Sequence, residues 1–240
     1  MPRGLVAQSF RDNGIWGEVK TDSYNAVLFK NGQFEVDVKN TVKFRASFIQ
    51  RWKYFQHFPE IKFLRASLKK NYGKTISVTY KYLWNGGTVE ENLIFNCRSI
   101  SVSCAFLPWG EKETRNFTCL LKMRTPEKKE MELVAMDRKG TDGALKTLGK
   151  WKQIRFYFKM ASLRNAGPYL LDFISEGQAW INIWKYPNMA VIKNAKKRIW
   201  DNTVYQKNEE YKIEYLVYIS KSNGTNIKSS AVLFERKEID

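Results

Sequence analysis

The apolar positions change period several times along the chain. Residues 1–40 carry the short alternating pieces "AVLF" and "QFEVDV" on either side of Asn31-Gly32, which predicts a small hairpin. From Thr41 the spacing lengthens. Phe44, Phe48, Trp52 and Phe55 recur at helical intervals, Pro59 interrupts, and Ile61, Leu64 and Leu68 carry the stripe on to Tyr72-Gly73, so a broken helical pair is expected over residues 41–72. "ISVTYKYLW" then places Ile76, Val78, Tyr80, Tyr82 and Trp84 on one face of a strand. Asn85-Gly86-Gly87 turns it, and "VEENLIFN", "SISVSCAF" and "FTCLLKM" extend an antiparallel set over residues 76–136.

Beyond that set the pattern is mixed. Asp142 is placed to cap a short helix carrying Leu145 and Leu148, and "IRFYFKM" alternates at Ile154, Phe156, Phe158 and Met160 as a strand. The chain turns at Gly167-Pro168, and residues 173–200 read as helical with a break at Pro187. "YKIEYLVYIS", the turn "KSNGTN" and "SSAVLFER" predict a C-terminal hairpin over residues 211–237. No tandem repeat or long linker separates these blocks. The expected fold is therefore a single α+β domain over residues 1–240, an antiparallel β-sheet or sandwich core with several flanking helices and residues 1–40 as an N-terminal arm or hairpin.

Composition agrees with a folded chain. Apolar residues make up 43% and aromatic residues 15% of the sequence, too much for a disordered one. Charge changes the picture more: 41 Lys and Arg against 24 Asp and Glu leave a formal +17, which calls for an anionic or compensating neighbour. The basic residues are spread along the whole sequence, so the expectation is a positive body and not a basic tail. No run reaches the roughly 18 apolar residues of a spanning helix, and "MPRGLVAQSFRDNG" lacks the apolar stretch of a secretory signal. A protein made in the cytosol, not secreted and not membrane-bound, with the nucleus open to it, is expected.

Chemistry is sparse. The single histidine, His57, stands between aromatic residues just before a proline and reads as a packing residue; G-x-S-x-G, Walker, H-E-x-x-H and G-x-G-x-x-G motifs are absent. The turn "DRKGTDGALKTLGK" lacks the strand before it that would make a phosphate site specific. Glu90-Glu91 and Glu209-Glu210 read as solvated or ion-paired carboxylates. Three cysteines, Cys97, Cys104 and Cys119, fit no zinc spacing, and their odd number leaves at least one sulfur for the core or for an intermolecular disulfide. No catalytic residue, metal or cofactor is expected.

"RWKYFQHF" and "WKQIRFYFKM" interleave cations with aromatics as a nucleic-acid surface would, although the same spacing serves a core with a wet face. In "MAVIKNAKKRIWDN" Ile192, Ala195 and Ile199 fall at i, i+3 and i+7. That spacing predicts an amphipathic helix with Lys193, Lys196, Lys197 and Arg198 on its wet face and Trp200 as a packing anchor.

Several segments occur in an order that points to a known family. "LLKMRTPEKKE" (120–130) looks like a strand ending in an N-M-R-P-type turn, and "ASLRNAGPYLLDF" (161–173) like a Ser-Leu segment leading into glycines and a proline. "KRIWDNTVY" (197–205) looks like an I-W-E-N helix end, and "LVYIS" with "SSAVLFERKEI" like closing V-Y-I and V-F-K-V-K-E strands. In these pieces the chain from about residue 60 onward resembles the polyhedrin and granulin family, the occlusion-body matrix proteins of baculoviruses and related large DNA viruses of insects. The first 60 residues match poorly. "AVIKNAKKR" resembles a family segment that normally lies near the amino terminus, and the chain is more basic than a usual member.

The resemblance implies a non-enzymatic structural protein that self-assembles into a crystalline matrix around virions and dissolves in the alkaline insect gut. Its partners would be other copies of itself and virions or nucleocapsids. It would assemble in the host nucleus or cytoplasm before residing in the occlusion body, with Lys193, Lys196, Lys197 and Arg198 as the nuclear import signal. Cys97, Cys104 and Cys119 would supply any intermolecular disulfide, and Lys-carboxylate and Tyr contacts would open at high pH. The alternative is a viral capsid or other nucleic-acid-binding protein, which the charge favours.

Overall fold

A computed structural model describes residues 14–30, 32–47, 61–71, 73–84, 86–115, 118–125, 132–137, 146–148, 152–164, 166–176, 180–186, 189–195, 202–224 and 232–236. Among them there is no helix. The expected α+β fold is thus replaced by an all-β one in which 17 strands form one continuous antiparallel array and two form a separate ribbon.

The first layer begins with β1 (Ile15–Lys20), β2 (Tyr24–Phe29), β3 (Phe34–Val38) and β4 (Val42–Ser47). Its neighbours run in the order β19 (Leu233–Arg236), β1, β2, β3, β4, β10 (Thr118–Arg124), β16 (Met189–Ala195) and β15 (Trp180–Tyr186). The second layer runs β5 (Ile61–Asn71), β6 (Thr75–Trp84), β7 (Gly87–Phe95), β8 (Ser99–Pro108), β18 (Tyr211–Lys221) and β14 (Tyr169–Glu176). The long β13 (Lys152–Arg164) joins the two. Its first half pairs with β15, its second half with β14 on one side and β11 (Glu132–Asp137) on the other, and β12 (Lys146–Leu148) flanks β11. β9 (Lys112–Arg115) and β17 (Asn202–Tyr205) form the ribbon, held by Tyr205, whose ring lies 5.2 Å from Phe106 and 4.6 Å from Tyr211.

The layers face each other through aromatic side chains. Phe34 on β3 meets Phe95 on β7 with ring centroids 6.1 Å apart, Phe44 on β4 meets Phe173 on β14 at 6.2 Å, and Trp16 on β1 meets Tyr80 on β6 at 5.9 Å, all edge to face. The face foreseen on β6 is real, since Ile76, Val78, Tyr80, Tyr82 and Trp84 are all buried. Each such side chain contributes about 1.5–3 kcal/mol on leaving water.

Period 2 also accounts for the segments expected to be helical. On β4, Val42, Phe44 and Ala46 point inward while Lys43 and Arg45 point out. On β5 the register slips between Phe63 and Arg65, so Leu64 is an extra residue in a bulge. One inserted residue moves the apolar phase from Ile61 and Phe63 to Ala66 and Leu68, and the resulting 61, 64, 68 spacing imitates a helix stripe. Phe48, Trp52 and Phe55 lie outside the described residues.

Residues 173–200 are likewise strands as far as they are described. β15 and β16 pair up to Tyr186↔Met189, and Pro187, the expected helix break, lies outside the described residues. Lys146–Leu148 is a strand, with Asp142 outside the described residues. The hairpins at Asn31-Gly32 and at residues 85–87 form as expected. The C-terminal hairpin does not: β18 lies between β8 and β14, whereas β19 crosses to the first layer beside β1. β10, expected to continue the second-layer strands, also sits in the first layer, between β4 and β16.

Candidate functional site

Alternation leaves the outer face of the second layer to the polar half of each strand. The registers align Ser67, Thr79, Asn92, Ser103 and Glu214 at one level across β5, β6, β7, β8 and β18. With neighbouring strands about 4.8 Å apart, such a row spans roughly 19 Å. One level along, Lys69, Ser77, Ile94, Ser101 and Leu216 form a mixed row; one level the other way, Arg65, Lys81, Glu90, Ala105 and Lys212 form a charged one. Ile94 is 41% exposed, and Tyr218 is exposed farther along β18.

Hydrogen bonds preorganise this face. The Thr79 hydroxyl donates to Asn92 Oδ1 at 2.6 Å, and Asn92 Nδ2 donates to Glu90 Oε1 at 3.2 Å. Lys81 Nζ stands 2.6 Å from Glu90 Oε2, and Lys212 Nζ stands 2.6 Å from Glu214 Oε1. Glu90 is held below the usual carboxylate range by the Lys81 hydrogen bond and then by the Asn92 amide. Glu90 is thereby kept as a charged acceptor, and Glu214 is held in place by its ion pair with Lys212.

Behind the polar row the inner face carries a second group. Glu91 is 1% exposed and points into the core, where the Tyr82 hydroxyl donates to Oε2 at 3.2 Å and the Cys104 thiol to Oε1 at 3.7 Å. Burial raises its pKa to about 8, although both hydrogen bonds act in the opposite direction. Glu90-Glu91 is thus a split pair: Glu90 is ion-paired as expected, and Glu91 is a buried acid. Tyr80, stacked on Tyr82 with centroids 6.1 Å apart, has a buried hydroxyl with no hydrogen bond among the described residues.

The three cysteines are free thiols. Cys104 on β8 and Cys119 on β10 are buried, and a hydrogen bond links the two thiols across the layers. Burial, followed by the nearby Cys119, pushes the Cys104 thiol well above its ordinary range. Cys97 is half-buried in the turn between β7 and β8. Lys193 lies on β16, opposite Leu120 and Asn182, so the helix expected there is a strand through Ala195. Lys196, Lys197, Arg198 and Trp200 lie outside the described residues, as does His57. Among the described residues no cluster of three or more His, Cys, Asp or Glu could hold a metal.

The polar row escaped the sequence reading because its members are ordinary outward residues. "ISVTYKYLW" and "SISVSCAF" do place hydroxyls at alternate positions, but only the strand registers bring Ser67, Thr79 and Ser103 level with Asn92 and Glu214.

No known protein-family model matches the sequence, and no curated protein matches it. Solved structures do match the fold. A Synechocystis protein superposes with a TM-score of 0.55 at 8% identity, covering 87% of this chain and 96% of its own. A galactose mutarotase related enzyme from Lactobacillus acidophilus gives 0.52 at 8% identity, covering 90% and 99%. A galactose mutarotase-like protein from Lactobacillus casei gives 0.51 at 8%, covering 86% and 100%. At such identities the likeness is one of fold.

This fold overturns the expectation of a viral occlusion-body matrix protein and the capsid alternative beside it. The expected flanking helices are absent from the described residues, and the all-β fold is similar to that of solved structures described as galactose mutarotase-like. The expectation of a non-enzyme also loses its support, since one of these structures is described as an enzyme.

Proposed function

We propose that the protein recognises carbohydrate on the outer face of its second layer. The observation that supports this is the level row Ser67, Thr79, Asn92, Ser103 and Glu214, with apolar Ile94 and Leu216 one level away. A sugar carries hydroxyls around its rim and C–H groups on its faces. It is therefore held by closely spaced donors and acceptors with apolar ground between them. Two structures of similar fold carry descriptions that refer to galactose mutarotase, which adds a sugar-handling precedent.

Binding is favoured over turnover by the state of the carboxylates. Interconverting anomers requires one group to give a proton and another to take one. On this face Glu90 and Glu214 are each held by a lysine at 2.6 Å, and Glu91 faces inward. Such groups orient a ligand better than they exchange protons with it.

Titrating neutral galactose- and glucose-containing oligosaccharides into the protein, read by NMR or calorimetry, should give saturable binding. Asn92→Ala should weaken it about 2- to 10-fold, because each hydrogen bond to an uncharged group contributes about 0.5–1.5 kcal/mol. Polarimetry on a freshly dissolved sugar anomer reads turnover in the same samples, and a rate above the spontaneous one would favour an epimerase. The absence of saturable binding to any sugar, or binding indifferent to Asn92→Ala, would overturn the proposal.

A further inference from the structure

The +17 charge is unevenly matched across the molecule. On the outer face of the first layer most cations meet carboxylates: Lys20 stands 2.7 Å from Glu235, Lys43 stands 2.7 Å from Asp37, and Arg45 pairs with Glu35. Lys122 on β10 makes no ion pair among the described residues but is half-buried beside Arg124 and Arg45, and burial followed by these two cations lowers its pKa. It offers little reach to a large ligand.

The strand β5, which pairs only with β6 among the described residues, differs. Register places Lys62 opposite Leu83, Arg65 opposite Lys81 and Lys69 opposite Ser77, so the bulge at Leu64 keeps all three cations on the same outer face as the polar row. All three are exposed, and none makes an ion pair among the described residues. Lys81, opposite Arg65, is already paired with Glu90, on which the Arg65 charge also acts from a distance. Ser67, the first member of the row, lies between Arg65 and Lys69 on the same strand face. At about 3.3 Å per residue, Arg65 and Lys69 stand roughly 13 Å apart at the Cα positions. Cations at that interval, opening onto a row of three hydroxyls, one amide and one ion-paired carboxylate, suit a chain that repeats an acid group among sugar hydroxyls.

We infer that the ligand of this face is an anionic polysaccharide, sulfated or uronate-bearing, whose acid groups meet Lys62, Arg65 and Lys69 while its hydroxyls meet the row from Ser67 to Glu214. The inference rests on the carbohydrate reading and names its ligand class. The charge of the strand selects the polyanion; the uncharged members of the row, Ser67, Thr79, Asn92 and Ser103, distinguish a glycan from any other polyanion.

The test uses the full chain with heparin as the sulfated probe, polygalacturonate as the uronate probe, dextran as the neutral one and a 20-nucleotide DNA as the rival polyanion. Heparin or polygalacturonate should bind more tightly than dextran and DNA, with an affinity that falls as salt rises; whichever binds more tightly identifies the acid group. Lys62→Gln/Arg65→Gln/Lys69→Gln should weaken that binding about 3- to 100-fold, since it removes three exposed ion pairs, and the salt dependence should flatten with their loss. A control variant, Lys30→Gln/Arg124→Gln/Lys207→Gln, removes as much charge elsewhere and should keep it.

Equal loss in both variants would show diffuse attraction and overturn the inference, and tighter binding to DNA than to either acidic glycan would overturn it as well. Preference for dextran or neutral oligosaccharides, unaffected by the β5 variant, would sink the anionic ligand and leave the carbohydrate reading standing. Failure of every glycan would remove both.

Discussion

Glu91 is the one carboxylate among the described residues that the fold removes from water, and it should control how stability depends on pH. In the unfolded chain a glutamate titrates near about 4.3, whereas in the core burial holds Glu91 to about 8. Between those values the folded state keeps a proton that the unfolded state has released, so unfolding gains stability relative to folding as pH rises. The contribution is present in full below the unfolded pKa and is lost as pH climbs through about 8. Glu91→Gln keeps an acceptor for the Tyr82 hydroxyl at nearly the same volume and carries no charge. Urea unfolding followed from pH 5 to 9 should lose a downward slope worth a few kcal/mol in this variant. If wild type and variant run parallel, Glu91 is not held protonated. Sequence could not separate Glu91 from Glu90, because the two differ only in which way an alternating strand points them.

At the scale of elements, the β2–β3 hairpin shows what the sequence could and could not reveal. Asn31-Gly32 between alternating runs was enough to place the turn, since a left-handed residue there needs glycine, and Gly32 has φ +79°. What the turn touches was not legible. A Cβ on Gly32 would stand 1.1 Å from the Tyr82 hydroxyl oxygen and 2.3 Å from Cζ of the same ring, so the first-layer turn is seated directly on β6 of the second layer. Gly32→Ala should therefore cost about 3 kcal/mol or more, combining left-handed strain with overlap on a buried ring. In a Tyr82→Phe background the same change should cost measurably less, a coupling above about 0.5 kcal/mol in a thermal-unfolding double-mutant cycle. Additive losses would mean that turn and ring do not meet. Elsewhere, element type failed where one irregularity disguised the period. The Leu64 bulge turned a strand into an apparent helix stripe, and the strands β15 and β16 occupy a stretch that read as helical.

Over the whole molecule, the pairing of distant strands lay beyond the sequence, because antiparallel neighbours need only compatible faces. β10 could have joined β8 as readily as β4 and β16, yet its placement decides the fate of the thiols. With β10 in the first layer and β8 in the second, Cys119 and Cys104 meet inside the sandwich, while Cys97 stays at a turn. No reagent can reach the inner pair without separating the layers. For a stability of about 5 kcal/mol or more, the fully open fraction is on the order of 10⁻⁴ or lower. A thiol reagent added to the native protein should therefore modify Cys97 first. Cys104 and Cys119 should follow together, at a rate that rises with urea in step with global unfolding. Cys97→Ser should abolish the fast phase and leave the slow pair unchanged. Intermolecular disulfides that form through Cys104 or Cys119 in the native protein, or three thiols that react at one fast rate, would contradict this packing, since either requires these sulfurs at the surface of a folded chain. The slow phase thus reads directly whether the two layers are held as one cooperative unit.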